Sequence, residues 1–185
     1  PIGQLAKFKR AELSFYRGDY DWANMQLDVL KGATTQLISN DAMELSLCIT
    51  DNLGIDSNYT ALECYSRARL FQRQKRADSA FYYIEKIAQA FPGHSLGDEI
   101  MLMKAQLHES KSEYIEAADL YAKLVDIYPD DILADNALFE LAQIQQFKLK
   151  DLSKAQVNYE KLIVNYTQSL FVAEARIQFR KLRGF

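Results

Sequence analysis

The chain is expected to be all-α: antiparallel helix pairs stacked on one another, about ten helices in a single solenoid over residues 1–185. Three observations predict this. A block of residues returns at a constant offset of 37 to 38 positions. Inside each block the apolar positions follow a 3.6-residue period. Turn-formers are scarce, with 7 Gly and 3 Pro in 185 residues, too few for a sheet of many short strands.

The repeat is read most easily in the middle of the chain. Leu96, Asp98, Ala105 and Gln106 return as Leu133, Asp135, Ala142 and Gln143, all 37 residues on. Ahead of each block, Ala80, Lys86, Ile87 and Phe91-Pro92 return as Ala117, Lys123, Leu124 and Tyr128-Pro129 at the same offset. Ala155, Tyr159, Lys161, Leu162 and Tyr166 match Ala117, Tyr121, Lys123, Leu124 and Tyr128 at an offset of 38, which puts one inserted residue in the turn around Lys148 to Asp151. The register reaches back to Ala68 and, after a gap, to Ala11.

Taken in order, the first unit covers about 4–34 and an extra helix about 39–53. Three full units follow over about 57–94, 95–131 and 132–169, and a capping helix over 170–183 closes the array. In each full unit a first helix, a tight turn and a second helix are followed by a stop. Ala117, Leu120, Tyr121, Leu124 and Tyr128 make one helical stripe, and Pro129 with Asp130 and Asp131 ends it, because proline cannot continue a helix. A helix pair of this kind cannot bury its stripe alone, so the units must stack. Alanines at 68, 105 and 142, and at 80, 117 and 155, mark where axes cross closely. The extra helix carries Ala42, Met43, Leu45, Leu47, Cys48, Ile49 and Leu53, apolar on nearly every side, and is expected to be buried. In the capping helix, Arg180 stands where Ala142 stood one unit earlier, which suits a polar outer face.

The run from Ser112 through Ala117, Tyr121 and Leu124 to Pro129 resembles the second half of a tetratricopeptide repeat, and Arg17-Gly18-Asp19-Tyr20-Asp21-Trp22-Ala23 is similar to that family's turn and second-helix start. The resemblance implies a right-handed superhelix whose first helices line a groove for a peptide or partner protein. By register with the family, the groove positions are Tyr65, Arg69, Arg73, Leu102, Gln106, Phe139 and Gln143. A core role for Leu102 and Phe139 stays open. Arg69 and Arg73, at i and i+4, share a face and could grip a carboxylate. The family's carboxylate clamp for chaperone tails is not expected, since Glu99 and Met103 stand where basic residues would be wanted. The longer repeat with its Tyr-Pro-x-x-x-Leu-x-x-x-Ala loop resembles repeats of bacterial outer-membrane assembly lipoproteins and Tol–Pal-associated periplasmic proteins, which implies an envelope location.

Other chemistry has little to stand on. His94 lies beside Pro92-Gly93 and His108 has no metal-spaced partner; no phosphate loop, HExxH or GxSxG occurs. No catalytic residue, cofactor or metal is therefore expected. Cys48 and Cys64, 16 residues apart, read as ordinary buried thiols. A formal net charge of −3 gives no general attraction to nucleic acid or anionic lipid, and no apolar run approaches a membrane span. The chain begins at Pro1 and is helical by Leu5, which reads as a piece of a longer protein. The expected function is an interaction scaffold; a structural spacer or self-assembly module of a larger envelope protein is the alternative.

Overall fold

The computed structural model describes residues 2–32, 35–53 and 59–184, with the backbone alone at Gln36. Among the described residues there are ten α-helices and no strand: α1 (Ile2–Tyr16), α2 (Tyr20–Lys31), α3 (Gln36–Asn52), α4 (Thr60–Arg73), α5 (Ala77–Ala90), α6 (Gly97–Ser110), α7 (Tyr114–Ile127), α8 (Ala134–Phe147), α9 (Leu152–Asn165) and α10 (Val172–Leu182). The expected end of the first unit, 33–34, and the start of the second, 57–58, lie outside the described residues. The chain divides into two compact units, Pro1–Gly97 and Asp98–Phe185.

The helices carry the repeat. From α4 to α9 each is 14 residues long, and Thr60, Gly97 and Ala134 begin successive first helices 37 residues apart. Turns of three residues join α4 to α5 and α6 to α7; the α8–α9 turn has four, Lys148 to Asp151, and holds the inserted residue.

Local chemistry makes these turns. Gly18, Lys75, Ser112 and Lys150 all adopt left-handed backbone, with φ of 83°, 58°, 64° and 60°. In the three-residue turns the next amide reaches back to a carbonyl of the helix just ended: Asp19 to Ser14 at 3.0 Å, Arg76 to Phe71 at 2.9 Å and Glu113 to His108 at 2.9 Å. That bond is one half of a Schellman motif and satisfies a carbonyl that the helix end leaves open. The same residue's carbonyl then accepts the first amide bond of the next helix, from Ala23, Ala80 and Ala117. One residue thus closes one helix and opens another. Only the first of these turns uses glycine. Ser112→Gly or Lys75→Gly is expected to stabilise by about 0.5–1 kcal/mol, because glycine enters the left-handed region without the Cβ clash. A fall in the urea midpoint of either variant would contradict this account of the turn.

In the second unit the core forms where successive helices cross. Ala105, Ala117, Ala142 and Ala155 are fully buried, and Tyr121, Tyr159, Leu124 and Leu162 fill the space one or two turns on. The Tyr166 hydroxyl donates to the Pro129 carbonyl at 2.8 Å, tying the end of α9 to the loop before α8. In α10, Val172, Ala175 and Gln178 face the core, while Arg180 is exposed.

In the first unit, α1 and α2 pair around Ala11, Phe15, Ala23 and Leu27, all fully buried. The extra helix differs from expectation in two ways. It starts at Gln36, and it buries one face only: Ala42, Leu45 and Ile49 are inaccessible, whereas Leu37 and Met43 are exposed. It packs on α2, where Ser46 Oγ donates to Asn24 Oδ1 and Ser39 Oγ to the Lys31 carbonyl at 2.5 Å. Its Glu44 reaches Arg69 of α4 at 3.7 Å. Its neighbours α1, α2 and α4 cover the inner face alone, so the apolar positions left over point outward.

Candidate functional site

Helical spacing places two sets of polar side chains on the inner side of the first unit. Lys9, Glu12 and Tyr16 follow i, i+3, i+7 on α1, and Arg69, Gln72 and Arg73 follow i, i+3, i+4 on α4. Together they line an open cavity of about 410 Å³. Glu12 sits at its edge, its side chain 8% exposed, and accepts from Lys9 Nζ at 2.7 Å and Arg73 Nη1 at 2.6 Å. Burial alone would push the Glu12 carboxyl up, but the bonds from Lys9 and Arg73 outweigh it and hold the group below the usual carboxylate range. Arg73 is held further into its charged state by Glu12 and Tyr16. Arg69 lies deeper, 21% exposed, and its pairing with Glu44 at 3.7 Å is longer than a hydrogen bond. Burial opposes its charge, yet Tyr65 and Glu44 beside it keep the guanidinium ionised. Asp41, on the neighbouring face of α3, is pushed up by burial. Three cations and a hydroxyl thus border one opening, with Arg73 and Lys9 about half exposed at its rim.

Of the expected groove residues, Arg69 and Arg73 border this cavity, and Tyr65 beside them is buried. The α1 contribution was not foreseen. A signal existed: with Ala11 in register with Ala68, Glu12 and Tyr16 fall at the positions of Arg69 and Arg73.

The remaining expected positions belong to the second unit. Leu102 and Phe139 are each 7% exposed and sit in its core. Phe139 stacks on Phe171 with centroids 4.7 Å apart and meets Tyr159 edge-on at 6.2 Å. Gln106 and Gln143 are half-buried on the same faces of α6 and α8. Beside them runs a polar seam. Tyr159 donates to Gln146 at 2.8 Å, Gln146 to Gln178 at 3.3 Å and Gln178 to Glu174 at 2.5 Å. One unit earlier Tyr121 donates to Glu109 at 3.3 Å. Burial, with Glu109 nearby, raises Glu140 above the usual carboxylate range. Burial and the adjacent Asp98 push Glu99 up to about 9.

The residues considered for chemistry are placed apart. His108 Nδ1 lies 2.6 Å from Glu113 Oε2 in the turn between α6 and α7. His94 packs edge-on against Phe91, and burial lowers its pKa. Among the described residues no three His, Cys, Asp or Glu side chains are grouped to hold a metal, and Cys48 and Cys64 are buried thiols not joined in a disulfide. Nor is any described helix long and apolar enough to cross a membrane.

Residues 136–169, which take in most of α8 and all of α9, match the tetratricopeptide repeat family. With the helix-pair architecture, this match supports the tetratricopeptide reading of the repeat; such repeats generally mediate protein–protein interaction and are typically non-enzymatic. No curated protein matches the chain significantly.

Proposed function

We propose that the chain is a non-enzymatic scaffold that holds a carboxylate-bearing segment of a partner protein against its first-helix surface. The observation that carries the reading is the cavity between α1 and α4, where Lys9, Arg69 and Arg73 border one opening and Arg73 and Lys9 remain half exposed. Guanidinium groups match a carboxylate in shape and charge, so an Asp, Glu or chain terminus of a partner suits this rim. Tyr65 is buried beside Arg69; taken by itself, the second unit offers the half-buried amides of Gln106 and Gln143, with Leu102 and Phe139 in its core. The longer repeat with its Tyr-Pro loop supports a place for the scaffold at the bacterial envelope, in the periplasm or beside the outer membrane. Localisation of the tagged full-length protein by fractionation tests that part alone.

A second reading has its own support. Glu12 and Glu44 already sit against these cations, so the same charges serve to lock α1, α3 and α4 together. In that case the unit is a spacer. Selection of a random peptide library on the immobilised 185-residue chain separates the two. The scaffold reading expects enrichment of acidic peptides whose affinity falls about tenfold or more with Arg73→Glu, the worth of a charge-assisted hydrogen bond. Far-ultraviolet circular dichroism should stay unchanged. Absence of enrichment, or affinity indifferent to Arg73→Glu, would favour the spacer.

A further inference from the structure

The second unit separates its charges along the helix axes. Its helices alternate in direction, so the C-termini of α6, α8 and α10 share one end with the N-termini of α7 and α9. Contacts fix this: Lys148 Nζ stands 5.2 Å over the Tyr114 ring at the start of α7, and Gln146 meets Gln178. At this turn end lie Lys111, Lys148, Lys150, Lys154, Arg180, Lys181 and Arg183, against the acids Glu109, Glu113, Glu116 and Asp151. Glu109 is turned inward to Tyr121, Asp151 caps α9 and pairs with Lys154 at 3.0 Å, and Glu113 lies 3.9 Å from Lys111. This leaves Lys148, Lys150 and the α10 cations to set the sign of this end. The opposite end collects Asp98, Glu99, Asp126, Asp130, Asp131, Asp135 and Glu174 against the cations Lys123 and Lys161, the latter 4.0 Å from Asp126. A chain whose formal net charge is −3 thus presents one basic face.

That face also carries exposed apolar side chains. Phe147, Leu149 and Leu152 are 44, 37 and 52% exposed around the four-residue α8–α9 turn, and Ile115 is 65% exposed beside Tyr114. The inserted residue makes this turn one residue longer than the α6–α7 turn at the same end and brings a leucine to its tip. Lysines alternate with the apolar residues in Phe147-Lys148-Leu149-Lys150.

We propose that the turn end of the second unit docks on an anionic lipid surface, with Phe147, Leu149 and Leu152 entering the headgroup boundary and the lysines and arginines around them meeting lipid phosphates. Charge complementarity selects the occupant. Each Lys or Arg held close to an anionic bilayer strengthens binding about fivefold, and apolar tips add the burial that holds the surface in place. Lysine stems reach past apolar neighbours to keep their charges in water. A protein partner fits less well, because interface cores are depleted of lysine and these tips project outward. Nucleic acid would use the cations and leave Phe147, Leu149 and Leu152 in water.

Flotation of the 185-residue chain with vesicles tests this. Vesicles of phosphatidylcholine with one third phosphatidylglycerol should carry the protein at low salt, and phosphatidylcholine vesicles should not. The triple variant Phe147→Ser, Leu149→Ser, Leu152→Ser and the double variant Lys148→Glu, Lys150→Glu should each lower partitioning at least about tenfold. All five positions are exposed, so circular dichroism should be unaltered. Ile127→Ser, at the opposite end of the unit, should bind like the parent. Failure to float with anionic vesicles, equal loss with Ile127→Ser, or polyanion binding that the serine variant leaves intact would each overturn the proposal. It stands apart from the carboxylate cavity, which these substitutions do not touch.

Discussion

Tyr159→Ala will destabilise the second unit by about 3–5 kcal/mol, a large share of a domain's usual stability. The ring is inaccessible, meets Phe139 edge-on and sends its hydroxyl to Gln146, which continues to Gln178 on α10. Alanine leaves a cavity that three helices border and strips a donor from a buried amide. Tyr159→Phe removes the hydroxyl alone and should cost about 1 kcal/mol. Overpacking is the opposite fault at the neighbouring alanines. Ala117→Leu or Ala142→Leu, both fully buried where helices cross, should cost about 1–3 kcal/mol. The exposed Lys123→Ala should stay within about 0.5 kcal/mol. Denaturant midpoints measure all of these. Similar losses at Lys123 and Ala117 would mean that the helix register is wrong.

Stability should also fall as the solution turns from weakly acid to alkaline. Glu99, whose ordinary value is 4.5, is pushed up to about 9 by burial and by Asp98 and Asp131 nearby. Between those two pH values the folded state holds a proton that the unfolded chain has lost, so ionisation works against folding. Glu140, raised by burial and by Glu109, acts in the same direction. Glu12 acts in the other: its lowered pKa adds stability that is present above the ordinary value and lost as pH falls through the folded one. The expected profile has its maximum near pH 5 and drops by about 2 kcal/mol or more by pH 9. Glu99→Gln should flatten the alkaline limb. An unchanged limb in that variant would assign the effect to other groups.

Much of this fold was legible because its determinants are local. The 37-residue register, the inserted residue between Lys148 and Asp151 and the paired alanines all reappear as helix starts, turn lengths and inaccessible crossings. The extra helix was harder. Its apolar residues cover most of its circumference, and sequence alone does not say which of them find a neighbour; Leu37 and Met43 do not bury. For the site, periodicity identified a face but not a depth. Tyr65, Leu102 and Phe139 hold equivalent positions in their helices and all three are buried, whereas Arg69, one turn further on, borders a cavity. Depth depends on which neighbour lies opposite, and α1 supplied Lys9, Glu12 and Tyr16 across a separation of about sixty residues. The charged ends of the second unit escaped notice for a related reason: their lysines and acids interleave in sequence and separate only when alternate helices reverse direction.

The short connections between helices, three to six residues in the second unit, carry a kinetic consequence. In the second unit the main helix contacts, α7 with α8, α8 with α9 and α9 with α10, join partners adjacent in the chain. Contact order is therefore low, and little loop entropy is lost before native contacts repay it. Each hairpin can nucleate alone and the next can zip onto it, as in a one-dimensional lattice with nearest-neighbour coupling. The first unit is wired otherwise, because Arg73 must find Glu12 and Tyr20 must find Ser66 across the whole of α3. The two halves of one repeat array thus fold under different rules, one by local propagation and the other by closing a long loop.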